Sequence, residues 1–266
     1  TQEMINGWCI QRPTEQKRSF IDRCQSALRL IEYLQNRNLT SVVKPEMPPA
    51  PPKTHIPHAF SEEELCRFFS RCDENVKTAR DQSSRFIALS ASVEFRLLYS
   101  SGMRPTETRL LRTENVDLAR GIINVKETKG NQQHYVALHD DAIQLLRDYD
   151  AVASKRFPSR IIFFPMNSKN PDMPISPDML DYHFHKVWDK VNGSLAVPYD
   201  FRHNYAIENI NSWINSGFEF HDKLVFLSKS MGHTSLESTK YYYSIVPALA
   251  DILQKTTEAR FDEIVP

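Results

Sequence analysis

The sequence contains no apolar run near the roughly 18 to 20 residues that a membrane span requires. Its first residues, TQEMINGWCIQ, lack the basic and apolar regions of a secretory signal, so the expected location is the cytoplasm. It has no excess of charge of either sign, with 33 Lys and Arg against 33 Asp and Glu. A binder of a strongly anionic partner usually shows a clear basic excess, so composition by itself does not point to nucleic acid. Cysteines number only four, Cys9, Cys24, Cys66 and Cys72, and no two form a CxxC pair. That spacing argues against a zinc ribbon or disulfide scaffold, and the four are read as reduced thiols in or near packed helices. There is no HExxH, no Walker glycine-lysine loop and no paired-carboxylate cluster of the kind that holds magnesium, so neither a metal nor a cofactor is expected.

What is present divides the chain. Between Lys44 and Pro57 the stretch KPEMPPAPPKTHIP holds six prolines and few amides free for helix or sheet bonding, and it reads as an extended linker. Before it, Phe20, Cys24, Ala27, Ile31 and Leu34 recur at helical spacing, with Lys17, Arg18, Arg23, Arg29 and Arg37 at other positions of the same helix. Residues 1 to 58 carry a net charge of +3 and the remainder −3. The expected organisation is a small helical piece over 1–47, a Pro-rich linker over 48–58 and a larger domain over 59–266.

In the larger part, Ser61 followed by Glu64 has the form of a capping box and predicts a helix start. An apolar helix is expected over 85 to 101, stopped by Gly102, with Pro105 in the first turn of the next. Strands near Ile122 to Lys126 and His134 to Leu138 flank Lys129-Gly130-Asn131 and predict a hairpin. Helical patterns follow at roughly 140 to 153, 176 to 191, 200 to 214, 222 to 230, 235 to 243 and 247 to 260. The fold class is mainly α with a small antiparallel sheet (α+β).

Five short motifs stand out in order: Gly102-Met-Arg104-Pro-Thr-Glu107, Lys129 at the hairpin tip, Tyr199-Asp-Phe-Arg202-His203, Met231-Gly232-His233, and Tyr241-Tyr242-Tyr243. Singly, each has an ordinary structural use: a surface arginine at a turn, a solvated lysine, a helix start, a loop, an aromatic patch. In this order and spacing they resemble the catalytic set of the tyrosine recombinase (phage integrase) family. The resemblance covers residues 59 to 266 with specific motifs, and residues 1 to 47 resemble part of that family's helical core-binding domain only weakly.

The resemblance implies a site-specific DNA recombinase or integrase, acting in the bacterial cytoplasm or nucleoid, that cuts and rejoins DNA through a covalent 3′-phosphotyrosine. It implies that Tyr242, nine residues after His233, is the nucleophile. It assigns Arg104, Arg202 and His233 to the phosphate and Lys129 to protonation of the departing 5′ oxygen, with Glu107 anchoring an arginine. These residue types suit the reaction. Guanidinium forks match pairs of phosphate oxygens, an imidazole N–H adds a donor, and a flexible lysine can protonate a poor leaving group. Tyr199 occupies the station where the family usually has histidine or lysine. A phenol with an ordinary pKa of about 10 donates to phosphate more readily than it accepts the nucleophile's proton at neutral pH. His203 would point about 100° from Arg202 on a helix.

The partners implied are double-stranded DNA recombination sites and further copies of the chain, assembled as a tetramer on DNA. Segment 247–260 would either dock on a neighbouring protomer or pack on its own domain. Two other readings stay open: a type IB topoisomerase-like enzyme, and a DNA-binding accessory protein that kept the fold and lost the reaction.

Overall fold

The computed structural model describes residues 1–50, 57–126, 128, 133–165, 170–213, 220–233, 235 and 237–240. Lys129, Tyr242 and the expected helix at 247–260 lie outside them. The chain divides into two compact units, Thr1–Ile56 and Pro57–Pro266.

The first unit is a pair of helices, α1 (Gln2–Trp8) and α2 (Lys17–Gln35). Phe20, Cys24 and Ile31 are buried along α2, as the helical spacing predicted, Ala27 and Leu34 are half-buried, and Ile21 is buried as well; Cys9, Leu28 and Met47 pack around Phe20, Ile21 and Cys24. The returning loop is fixed by Arg23, whose guanidinium grips Glu15 with two bonds of 2.7 and 2.8 Å and also donates to the carbonyl of Ile10. That hydrogen-bonded pairing holds the Glu15 carboxyl down at about 2. All four cysteines are free, and burial pushes the Cys24 and Cys72 thiols up to about 11 and about 12.

The second unit begins with α3 (Glu62–Lys77), started by the predicted capping box: Ser61 Oγ accepts from the Glu64 amide and Glu64 Oε2 accepts from the Ser61 amide. Next comes α4 (Gln82–Ser101). It begins three residues earlier than its apolar pattern suggests, because Asp81 accepts from the amides of Ser83 and Ser84 at 2.8 and 2.9 Å. Residues on every side of α4 are buried, so it serves as the central post of the unit. On one side Phe95 and Leu98 join Phe68 of α3, Phe184 and Trp188 of α7 (Pro177–Val191) and Phe201 of α8 (Asp200–Trp213) in an aromatic core. On the other, Phe86, Val93 and Leu97 meet Ile123, Val125 and Val136 of the sheet and Leu146, Tyr149 and Ala153 of α6 (Asp140–Arg156).

The sheet is antiparallel, in the order β1 (Val116–Asp117), β2 (Ile122–Val125), β3 (His134–Ala137), with Val125 opposite His134. The two predicted strands are present. The third, β1, is two residues long and too short to leave a periodic signal. Short helices complete the described part: α5 (Pro105–Arg109), α9 (Phe220–Ser230) and α10 (Glu237–Lys240). Among the described residues no helix is long and apolar enough to cross a membrane.

Candidate active site

The C-terminal end of α4 sets the first wall. Gly102 caps the helix at φ +65°, and a β-carbon there would fall 2.3 Å from the ring of Tyr205 on α8, so both backbone and packing call for glycine. The sharp reversal delivers Arg104 to the N-cap of α5, with Pro105 at the first helical position. Glu107, one turn later, is buried and reaches back: one oxygen accepts from the Arg104 amide at 2.8 Å, the other from Arg104 Nη1 at 2.6 Å. The sequence reading of Glu107 as an anchor for an arginine matches this geometry.

Arg202 enters from the first turn of α8 and is 1% exposed. Its Nη1 donates to the carbonyl of Gly102 at 2.7 Å and its Nη2 to the carbonyl of Met231 at 2.6 Å. Arg104 Nη2 donates to the next carbonyl along, that of Gly232, at 3.1 Å. Two arginines nearly a hundred residues apart thus bind consecutive carbonyls of one loop. That loop ends α9, with the His233 amide returning to the Ser228 carbonyl at 2.9 Å. Three of the expected residues, Arg104, Arg202 and His233, are therefore assembled around a single turn.

The charge at this turn is visible in His233. Burial first, then the nearby Arg202, Arg104 and His134, push its imidazole down to about 4, so at neutral pH it is uncharged. Its Nδ1 lies 2.7 Å from the Thr239 hydroxyl of α10, which directs the other ring nitrogen elsewhere. The two guanidinium groups beside His233 are suited to stabilising an anion at this turn.

Tyr199 is more exposed than these residues. It is 40% exposed just before α8, and its ring meets that of His203 edge-on with centroids 5.1 Å apart. His203 follows Arg202 on the helix, as the rotation argument expected. The positions of Lys129 and Tyr242 relative to the cluster fall outside the described residues.

One residue at the site carried no sequence signal. His134 opens β3, is 8% exposed, and places Nε2 4.0 Å from Glu107 Oε2. A lone histidine in a strand pattern is commonly a core residue, and only the tertiary contact distinguishes this one. A cavity of about 930 Å³ opens between β2, β3 and α9, with His134, Gly232 and His233 at one end and Tyr135 and Phe226 along it. Among the described residues no group of three or more His, Cys, Asp or Glu is placed to hold a metal ion.

The chain is 24% identical to the tyrosine recombinase XerC of Staphylococcus saprophyticus, over 85% of this chain and 71% of that one. It is 24% identical to the tyrosine recombinase XerD of Rhizobium meliloti, over 77% of this chain and 63% of that one. The chain spans about half, 53%, of a further relative from Sinorhizobium fredii. Among solved structures, that of the XerH site-specific recombinase bound to palindromic difH substrate superposes with a TM-score of 0.64 at 15% identity, over 96% of this chain and 72% of that one. The Tn1549 transposon integrase in complex with transposon right end DNA superposes with a TM-score of 0.55 at 13% identity, over 91% and 80%. At these identities the structural likeness establishes a shared fold. A sequence model of the phage integrase family matches residues 59–247, most of the chain, and the protein therefore belongs to that family, the tyrosine recombinases.

Proposed function

We propose that this chain is a site-specific DNA recombinase of a mobile element, cutting and rejoining DNA through a 3′-phosphotyrosine on Tyr242. The observation that carries the reading is the convergence of Arg104, Arg202 and the uncharged His233 on the turn at 231–233. In the reaction, Tyr242 Oη gives up its proton to solvent water and attacks a backbone phosphorus in line, the bond to the 5′ oxygen breaks, and that oxygen takes a proton from Lys129. Arg104, Arg202 and an N–H of His233 stabilise the charge that grows on the non-bridging oxygens. Tyr199 donates a hydrogen bond to the phosphate rather than removing the proton of Tyr242. Religation runs the same steps in reverse with a 5′ hydroxyl from a partner strand, so neither a metal nor an external energy source enters.

The partners are duplex recombination sites and further copies of the chain. Four protomers would assemble on two duplexes, with segment 247–260 of each docking on the next. The place of action is the bacterial cytoplasm or nucleoid. A transposon integrase stands among the structural neighbours, beside Xer recombinases, and is consistent with the proposed mobile-element role.

A nicked suicide substrate tests the reading. The wild-type chain is expected to form a covalent protein–DNA adduct that vanishes in Tyr242→Phe. Arg104→Ala and Arg202→Ala should abolish the adduct while gel shifts retain most of the affinity. Wild-type protein that binds its site yet never forms an adduct would instead identify a DNA-binding accessory protein of the same fold.

A further inference from the structure

We propose that His134 is a positioning residue of the phosphate site, the side chain through which β3 fixes the Gly232–His233 turn against Arg104 and Glu107. The role assigned to it rests on the recombinase reading, but the contacts that define it do not.

Strand alternation brings the side chain inward. On β3, Tyr135 and Ala137 face solvent, while His134 and Val136 share the buried face. Val136 enters the apolar core, as expected of that face. His134 instead meets the Glu107 carboxylate on one side and the Gly232 backbone on the other. Its Nε2 lies 4.0 Å from Glu107 Oε2, the carboxylate oxygen that also accepts from the Arg104 amide. Its Nδ1 edge faces Gly232 so closely that a β-carbon on that glycine would fall 2.5 Å from it.

The imidazole therefore fills the space that a side chain at 232 would occupy. Gly232 adopts φ +63°, so a substitution there would suffer from both backbone strain and collision with the ring. The fourth side of the arrangement is the bond from Arg104 Nη2 to the Gly232 carbonyl. Glu107, Arg104, Gly232 and His134 thus form a closed ring of contacts joining α5, the 231–233 loop and β3. His233, the next residue in that loop, can be placed correctly only if the ring is intact. A leucine of similar size would keep the packing against Gly232 and remove the polar edge facing Glu107. A small shift of a catalytic group costs up to about 100-fold in rate.

The full-length chain with His134→Leu and His134→Gln provides the test. Glutamine can carry an amide N–H to the position of Nε2, and leucine cannot. The readouts are single-turnover cleavage of the nicked substrate, DNA affinity by gel shift, thermal stability, and the imidazole resonances of His233 in the DNA-free protein. His134→Leu is expected to slow cleavage by roughly 10- to 100-fold with affinity little changed. His134→Gln should restore most of that loss, and the His233 resonances should move in the leucine variant and return toward wild type in the glutamine variant. Equal losses in both variants, or His233 resonances indifferent to either, would overturn the proposal. If the wild-type chain cleaves no substrate, the recombinase reading fails, and the His233 resonances still decide whether His134 sets the position of that loop.

Discussion

Glu94 and His233 show how burial shifts single residues in opposite directions. Glu94, on α4, is fully enclosed, accepts from the Thr108 hydroxyl at 3.0 Å, and is pushed by burial up to about 8. The folded protein therefore holds a proton on Glu94 between about pH 4.5 and about pH 8, where the unfolded chain has released it. More protons bound in the folded state means stability falls as pH rises through that window, by at most about 1.4 kcal/mol per pH unit for this one group. His233 acts the other way: its lowered value makes the unfolded chain the better proton binder, so its contribution is present above about 6.5 and lost as pH falls toward about 4. Between pH 6.5 and 8 the Glu94 effect is the larger of the two, because His233 is nearly deprotonated in both states over most of that interval. Glu94→Gln is expected to flatten the decline of the urea midpoint across that interval, and parallel declines in wild type and variant would contradict the protonation of Glu94. Neither Glu94 nor His134 was legible in the sequence. Each sits in an ordinary helix or strand pattern and acquires its meaning from residues 14 and 27 positions away. Arg104 and Glu107 were legible because they lie within one short motif, and Arg202 and His233 because each follows a recognisable local step.

Helix α4 is the element on which the site depends, since its end carries the Gly102 reversal and its sides divide the core. Local chemistry made much of it readable: the apolar run, the glycine stop, the proline after it. Its true start was hidden because an aspartate cap, unlike a capping box, leaves only one residue as a mark. The outlying β1 was hidden because two residues cannot show a period. The aromatic core beside α4 packs α3, α7 and α8 through Phe68, which is fully buried among Phe95, Phe184, Trp188 and Phe201 with ring centroids 5.1 to 5.8 Å away. Phe68→Ala would leave a cavity the surrounding rings cannot close, at a cost of about 3 to 5 kcal/mol. Chemical denaturation should show a lower midpoint with an unchanged slope. Because Phe201 packs against Phe68 and precedes Arg202, partial loss of cleavage is expected at temperatures well below unfolding.

At the scale of the whole molecule, a neutral protein is asked to hold DNA, and the distribution of charge decides how. The excess of positive charge lies within residues 1–58, where α2 presents Lys17, Arg18 and Arg29 exposed and the turn after it, beyond the helix end at Gln35, presents Arg37. Two of these are engaged: Arg18 with Asp22 at 3.4 Å, and Arg37 over the ring of Tyr33 at 3.9 Å. The second unit, by contrast, is acidic overall and brings Arg104 and the buried Arg202 to one turn. Affinity and reactivity should therefore separate. On the proposed reading, surface cations of the first unit would neutralise phosphates and release counterions, whereas Arg104 and Arg202 would act on one phosphate during the reaction. Arg29→Ala is expected to weaken binding to cognate and unrelated duplexes alike and to lower the slope of log affinity against log salt by about one. The cleavage rate at saturating protein should stay unchanged. A variant that binds as wild type at every salt concentration would place the DNA-binding surface elsewhere, and one that loses affinity only for the cognate site would make Arg29 a reader of bases rather than a phosphate contact.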